Sequence, residues 1–154
     1  MRRKRLDDLN CAIAQTLEVV GDPWTLLIVR DLVMGVRRFD AIQRRLGIPR
    51  NTLTSRLEHL QDHEVVERVA LDDQPNRFEY RLTDKGWALG PVLVTMLRWG
   101  DEWGDLEEPP VVFEQPSTGR RLDPVLVDRE TGMPLNELGY EPRPGPGATR
   151  DGRR

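Results

Sequence analysis

The segment RNTLTSR at residues 50–56 carries side chains whose chemistry suits contact with the bases of a nucleic acid. Asparagine can bond adenine through two hydrogen bonds, and short hydroxyl side chains and arginine reach the edges of other bases. On a helix, Leu53 and Leu57 share the inward face, and Asn51 and Ser55 lie opposite them. The candidate base contacts are Arg50, Asn51, Thr54 and Ser55, and Thr52 is a further candidate DNA-binding residue. The alternative is that Asn51 only caps the helix and Ser55 is solvated.

The residues around this segment are basic, although the whole chain has a net charge of −3. From Arg30 to Arg56, seven arginines stand against two aspartates, which gives a local net charge of +5. Such a cluster is what contact with a phosphate backbone requires. The predicted phosphate contacts are Arg37, Arg38, Arg44, Arg45 and Arg56. The alternative is a solvated basic face, with Arg56 paired to an internal acid such as Glu18 or Asp31.

Two helices and a hairpin must position these side chains. Apolar residues spaced three and four apart predict one helix that ends at the break LGIP and another that starts near Asn51. The pair forms a helix-turn-helix pattern, whose second helix would enter the major groove N-terminus first. Residues 65–71 and 77–82 then predict two strands around the turn sequence DDQPN. A hairpin directly after a recognition helix is the wing of a winged helix.

Further helices flank this pattern. Asn10 is a candidate cap for a helix over residues 10–20, and Asp22 with Pro23 predicts the start of the next helix. Thr83 can cap a last helix that runs to about Trp103, with Pro91 as a kink or a late N-terminus. This helix has two apolar lines, and we expect the second to form a dimer interface with another subunit. That second line consists of Val92, Met96, Trp99 and Trp103.

The character of the sequence changes after residue 110. Two imperfect copies, PSTGRRLDP and RETGMPLNE, are offset by 13 residues and predict a small β appendage over residues 111–138. Residues 139–154 are rich in proline, glycine and arginine and are predicted to be disordered. The expected architecture is mainly α with a small β wing (α+β), with the DNA-binding and dimerisation domain at residues 8–105.

Several motifs in order resemble those of the HxlR-type winged-helix regulators, bacterial transcription factors related to the MarR group. They are C-x-I-A-x-T-L-x-x-V-G-D-x-W-T-L-L-I-x-R-D-L, G-x-R-R-F-D-x-I-Q-R-R-L-G-I, R-N-T-L-T-x-R-L-x-x-L and Y-x-L-T-x-K-G. The resemblance covers roughly residues 8–100. It implies a homodimer whose recognition helices and wings straddle a pseudo-palindromic operator in double-stranded DNA.

Two positions depart from the family pattern. Ala12 stands where the family commonly has proline, and Asp72 and Asp73 make the wing tip acidic. The acidic tip leaves Arg77 as the predicted phosphate contact of the wing. Some relatives carry cysteines in a C-terminal extension, as in a zinc knuckle; this appendage has none, and its Thr-Gly turns are expected to keep that shape without a metal.

Cys11, the single cysteine, has two interpretations. Some family members sense electrophiles or oxidants at the matching position, and the first turn of a helix favours a thiolate. The basic residues Arg3, Lys4 and Arg5 would act in the same direction. Free cysteine is also often a small buried hydrophobe, and from the sequence this structural role is favoured over sensing.

Other functional classes find no support. The chain has no P-loop or G-x-S-x-G motif, and His59 and His63 have no evident third metal ligand. We therefore expect no enzyme activity, no cofactor or metal, no membrane span and a cytoplasmic location. The predicted function is a homodimeric, sequence-specific repressor that responds to a redox, electrophile or small-molecule signal.

Two alternatives to this prediction stay open. The basic helix-turn-helix face could dock an acidic partner protein, in which case the chain is a protein-interaction module and DNA is irrelevant. A small-molecule effector could instead sit between Trp24, Trp99, Trp103 and the partner subunit, although these tryptophans are expected to belong to the core.

Overall fold

The structure is a computed structural model that describes residues 6–71 and 74–149. After a short 3-10 helix at Leu6–Asp8, its elements are α1 Ala12–Val20, α2 Pro23–Val33, α3 Phe39–Leu46, α4 Arg50–Asp62, β1 Val66–Leu71, β2 Gln74–Leu82, α5 Asp84–Trp87, α6 Gly90–Trp103, β3 Phe113–Gln115, β4 Arg120–Leu122 and α7 Leu135–Leu138. The predicted mainly α fold with a small β hairpin is confirmed.

The chain divides into two compact units. The first comprises residues 1–90 and 147–154, and the second comprises residues 91–146. The division lies at the start of α6, inside the predicted 8–105 domain. The three predicted domain boundaries stay predictions.

The core of the first unit is built by α2, α3, α4 and the hairpin. Ile28, Ile42, Leu53 and Leu60 have no exposed surface, and Leu57 is 1% exposed. Burial of each such side chain contributes about 1.5–3 kcal/mol to folding. The leucine line that predicted α4 is therefore the face that holds this helix against the core.

The junction between α1 and α2 follows the predicted capping pattern only in part. Asp22 caps α2, since its Oδ1 accepts a hydrogen bond from the Trp24 amide at 2.9 Å, and Pro23 is the first helical residue. The N-cap position of α1 is occupied by Cys11 and not by Asn10, and Cys11 makes no side-chain cap bond. No single described helix is long and apolar enough to cross a membrane. Only α1 and α2 taken together have that length and composition, and they are bent by 78° at their junction.

The structure has two helices where the sequence predicted one from Thr83 to about Trp103. The four-residue α5 ends at Trp87, and α6 begins at Gly90. Pro91 lies in the first turn of α6, where its missing N–H costs no helical hydrogen bond. Within a continuous helix it would leave the Trp87 carbonyl without a donor. Of the two predicted roles for Pro91, the late N-terminus is the one found.

The second unit combines α6 with two similar turns. Strands β3 and β4 pair antiparallel around the first turn, at Thr118 and Gly119. An isolated bridge joins Val127 to Pro134 on the two sides of the second turn, at Thr131 and Gly132. The short helix α7 was not predicted. Residues 139–149 form no helix or strand, and residues 150–154 lie outside the described part, so the predicted disorder of this tail stays a prediction.

The two turns are closed by equivalent hydrogen bonds. Thr118 Oγ1 donates to Gln115 Oε1 at 3.0 Å, and Thr131 Oγ1 donates to Asp128 Oδ2 at 2.9 Å. The glycine after each threonine has a positive φ, 67° at Gly119 and 70° at Gly132, which favours glycine there. The Thr131 amide also bonds Asp128, and these bonds lower the pKa of that carboxyl below its usual value.

Candidate nucleic-acid interface

The outward face of α4 is polar along its first half. Arg50, Asn51, Thr54 and Ser55 are exposed, and Thr52 is half-buried. The first acidic residue of this helix is Glu58, two turns in. Pro49 occupies the N-cap position and no side chain caps the helix, so the alternative reading of Asn51 as a cap is wrong. The Asn51 amide is available to an external partner.

The angle between α3 and α4 depends on one glycine. Gly47 has a φ of 63°, and its N–H donates to the Gln43 carbonyl at 2.9 Å. Glycine adopts this left-handed conformation without the steric cost of a side chain. Ile48 follows in the core, and Pro49 occupies the N-cap position of α4. The break LGIP therefore sets the position of α4 as well as its start.

The motif LTDKG ties the C-terminus of α4 to the base of the wing. Thr83 Oγ1 donates to the Glu64 carbonyl at 2.6 Å, and Lys85 Nζ donates to the His63 carbonyl at 2.7 Å. A Cβ added at Gly86 would lie 2.2 Å from the Val65 carbonyl oxygen. These contacts fix the wing relative to the helix.

The wing is the antiparallel pair β1–β2, and it is attached at its base to the helix-turn-helix. The register runs from Val66 opposite Leu82 to Ala70 opposite Phe78, with an irregularity before Leu71. The Tyr80 amide donates to the Arg37 carbonyl at 2.8 Å. The predicted acidic tip, Asp72 and Asp73, lies outside the described residues.

A cleft of about 390 Å³ lies between α4 and the wing. Four arginines line it, together with the acids Asp40 and Glu58, so that its charge is positive. The arginines are Arg38, Arg50, Arg68 and Arg77. Among the acids, Asp40 lies 3.8 Å from the Arg50 guanidinium, but both side chains are largely exposed and such pairs contribute little.

Two of these arginines stack on aromatic rings. Arg50 lies 4.9 Å from the centroid of the Phe39 ring, and Arg68 lies 3.7 Å from that of Phe78. Stacking holds a guanidinium by its flat face and leaves its N–H edge free for phosphate. Arg68 is not among the DNA contacts predicted from the sequence. The signal was the hairpin register, because Arg68 pairs with Tyr80 and so has Phe78 as its diagonal neighbour.

Two other predicted phosphate contacts, Arg45 and Arg56, form ion pairs with carboxylates of the same chain. Arg45 Nε lies 3.2 Å from the fully buried carboxylate of Asp31, which Arg30 also contacts at 2.8 Å. Arg56 Nη2 lies 3.0 Å from Asp22, the residue that caps α2. The predicted internal partners of Arg56, Glu18 and Asp31, are therefore replaced by Asp22.

The remaining two differ in their surroundings. Arg44 is exposed on α3, and Arg37 is half-exposed with its Nη1 3.8 Å from Glu79. Both keep guanidinium surface at the rim of the helix-turn-helix.

The two half-buried histidines lie at the C-terminal end of α4, His59 within the helix and His63 at its C-cap. His59 Nε2 lies 2.9 Å from the Val19 carbonyl oxygen, and the two rings are 4.3 Å apart. His59 thus joins α4 to α1. Among the described residues, no group of three or more metal-ligating side chains comes together.

Cys11 is exposed, so the favoured interpretation as a buried core residue is wrong. It occupies the N-cap position of α1, at the end of the helix where the N–H groups of the first turn have no partner within the helix. The neighbouring basic residues Arg3, Lys4 and Arg5 lie outside the described residues.

The predicted interface line of α6 is also exposed. Met96 is 52% exposed, Trp99 68% and Trp103 69%, and Val92 is at 37%. Trp24 is half-buried in the first unit. The expectation that Trp99 and Trp103 are core residues is therefore wrong for the single chain.

Comparison with known proteins agrees with this geometry. Residues 19–108 match the family described as HxlR-like helix-turn-helix. The chain is 41% identical over 137 residues to the HTH-type transcriptional regulator Rv3095 of Mycobacterium tuberculosis, covering 88% of this chain and 87% of that protein. It is 37% identical over 92 residues to the HTH-type regulator YvaP of Bacillus subtilis, covering 59% of this chain and 85% of YvaP.

Solved structures give the same result. The crystal structure of PA1607, described as a candidate transcription factor, has a TM-score of 0.76 at 37% identity and covers 87% of this chain and 95% of that chain. Reduced YodB from Bacillus subtilis, a transcriptional regulator, has a TM-score of 0.53 at 33% identity and covers 62% and 95%. The protein therefore belongs to the HxlR-like helix-turn-helix family of transcriptional regulators.

Proposed function

We propose that the protein is a homodimeric repressor that binds a pseudo-palindromic operator in the cytoplasm through α4 and the wing. The observation that carries the proposal is the exposed, acid-free first half of α4 beside a cleft lined by four arginines. A helix of this kind presents base-reading groups at its N-terminus while flanking arginines hold the phosphates.

The residues divide into three roles. Base contacts come from the N-terminal half of α4: Arg50, Asn51, Thr52, Thr54 and Ser55. Phosphate contacts come from its rim and from the wing: Arg37, Arg38, Arg44, Arg68 and Arg77. Arg45 and Arg56 act through their carboxylate partners Asp31 and Asp22, which position α3 and α4 against α2.

Dimerisation uses the exposed line of α6. Two tryptophans and a methionine on one helix face form an apolar surface typical of a protein interface. A dimer related by a twofold axis has two recognition helices, one for each half of a pseudo-palindromic operator. A dimer seated across an operator excludes polymerase, which supports the repressor role.

Cys11 is the proposed sensor. It is exposed at the entry to α1, and the family relative YodB has been solved in reduced and quinone-bound forms. In the proposed step, the sulfur of Cys11 forms a bond to a ring carbon of a quinone, the carbon–carbon double bond of the quinone breaks, and the thiol proton passes to the adduct, which becomes a hydroquinone thioether. The added group at the N-terminus of α1 then changes the DNA affinity of the dimer.

The test is fluorescence anisotropy with duplex DNA from upstream of the protein's own gene. We expect the protein to prefer one duplex over random DNA by about a thousandfold or more. Benzoquinone should change that affinity in the wild type and leave Cys11→Ser unaffected. The absence of any sequence preference across genomic fragments would overturn the regulator and favour the acidic-partner module. An equal response in both proteins would overturn the sensor.

A further inference from the structure

The second unit contains a cleft that the proposed regulator does not use. It has a volume of about 550 Å³, within the range of small-molecule sites. One wall is the Val94, Thr95 and Arg98 face of α6. The other is the segment from Pro124 to Leu126 with α7, and Tyr140 lies at its rim.

The walls of the cleft are held by backbone contacts within this unit. The Leu135 amide donates to the Leu126 carbonyl at 3.0 Å, next to the bridge between Val127 and Pro134. Arg98 donates to the Pro124 carbonyl, which ties α6 to the facing wall. The cleft is therefore formed in the single chain without a partner.

The cleft is apolar and electrically balanced. The charge of Arg98 is matched by Asp123, whose carboxylate lies 3.0 Å from its Nη1. Six of the other lining residues are proline or aliphatic: Pro91, Val94, Pro124, Val125, Leu126 and Leu135. Val125 and Leu126 keep about half of their surface exposed. Asn136 and Tyr140 supply hydrogen-bonding groups. An anion gains little from a neutralised arginine, whereas an uncharged apolar molecule gains from covering this surface.

We propose that this cleft binds a second effector of the regulator, separate from the electrophile sensed at Cys11: an uncharged, largely apolar small molecule with a hydrogen-bonding group. The cleft and the exposed interface line lie on different faces of α6. Thr95 and Arg98 directly precede Met96 and Trp99, and successive residues of an α-helix point in different directions around its axis. A ligand that shifts the appendage wall moves the helix through which the subunits pair. This regulatory half rests on the proposed function, whereas binding to the cleft does not.

Binding is tested on the full chain with two related dyes. N-phenyl-1-naphthylamine is uncharged and fluoresces in apolar surroundings, and 1-anilinonaphthalene-8-sulfonate has the same skeleton with an added sulfonate. We expect saturable binding of one uncharged dye per chain, with about tenfold weaker binding of the sulfonate. Leu126→Glu places a charge in the apolar wall and should weaken the uncharged dye by about tenfold or more. Tyr140→Ala, at a residue 72% exposed, should weaken it about threefold with the fold preserved.

Two matched controls locate the site. Met133→Glu changes a side chain of similar exposure in the same unit outside the cleft, and Trp99→Glu changes the interface line. Both should keep dye affinity within twofold. Unsaturable binding, preference for the sulfonate, or binding lost in Trp99→Glu but kept in Leu126→Glu and Tyr140→Ala would overturn the site.

The regulatory half has its own measurement. Saturating uncharged dye should change the affinity for the preferred duplex at least threefold in the wild type and not in Leu126→Glu. An unchanged affinity for DNA in the presence of bound dye would overturn the effector role. A protein that binds the dye but prefers no duplex would instead show that the proposed function has failed while the site stands.

Discussion

The two units of the molecule are stabilised in different ways. Residues 6–90 of the first unit contain a continuous core, with buried side chains from Ala14 to Leu82. Residues 91–146 are all described, and none of them is buried in the single chain. Many of the large apolar side chains of α6 and the appendage are exposed instead, among them Met96, Trp99 and Trp103. The first unit can therefore hold α4 in place by its own packing, whereas the second offers its apolar surface to something else.

This difference matches the proposed roles of the two units, DNA recognition by the first and binding of a partner subunit or ligand by the second. A recognition helix must present the same face at every encounter, and the leucine line beneath α4 fixes it in a close-packed core. A surface that pairs with a partner or a ligand must be exposed in the free chain. The predictions below test that separation, beginning with the largest expected effect.

Truncation in the first core should be costly. Leu53→Ala is expected to lower the free energy of unfolding by about 2–5 kcal/mol, because Leu53 has no exposed surface and its removal leaves a cavity beneath α4. Urea denaturation measures the loss. The control, Val125→Ala in the second unit, should change it by about 0.5 kcal/mol or less. Equal losses at the two sites would remove the distinction between the units.

A charge in the interface line should separate the subunits. Trp99→Glu is expected to weaken dimerisation by about a hundredfold, since a central tryptophan is typically a hot spot and a buried carboxylate is costly. Sedimentation velocity over a concentration series reports the dimer fraction. Trp87→Glu changes another exposed tryptophan, outside α6, and should leave the dimer intact. A dimer that survives Trp99→Glu would place the interface elsewhere.

The buried carboxylate of the first unit should matter more than an exposed one. Asp31→Asn removes the charge that Arg30 and Arg45 share and should lower the free energy of unfolding by about 1–3 kcal/mol. Asp40→Asn alters the exposed pair with Arg50 and should cost about 0.5 kcal/mol or less. The same urea titration compares them. An unchanged free energy of unfolding in Asp31→Asn would show that the ion pair of Asp31 with Arg45 does not hold α3 against α2.

The smallest effect should be found in the appendage. Hydrogen bonds from the Thr131 amide and hydroxyl lower the pKa of Asp128, so the second turn is stabilised above the ordinary carboxyl pKa of 3.8. That contribution is lost as pH falls through the lowered folded-state value. NMR titration of the Asp128 carboxyl measures it. Thr131→Val should raise this pKa toward 3.8, and Thr118→Val in the other turn should not move it.

Local sequence patterns predicted much of the fold. The leucine spacing of α4 and the Asp22–Pro23 start of α2 each depend on neighbours within a few residues. The predicted start of the second wing strand at residue 77 is wrong, since β2 begins at Gln74. The division between α5 and α6 was left open for a related reason. Proline permits either a kink or a new start, and the chain around Pro91 decides between them.

The candidate site was less predictable because its details are set by contacts between distant residues. Arg56 pairs with Asp22 and not with Glu18, since the crossing of α2 and α4 determines which acid is within reach. The exposure of Cys11 depends on what packs against the start of α1. Arg68 became a candidate only once the hairpin register placed it on Phe78.

The measurement that tests the central claim most directly is the salt dependence of DNA affinity in single arginine variants. Arg68→Ala and Arg77→Ala should each reduce the slope of log Kd against log salt concentration by about 0.9, the value for one lost phosphate contact. Arg129→Ala, an exposed arginine of the appendage, should leave the slope unchanged. A slope unaltered in both cleft variants, or reduced equally by Arg129→Ala, would contradict DNA binding through α4 and the wing.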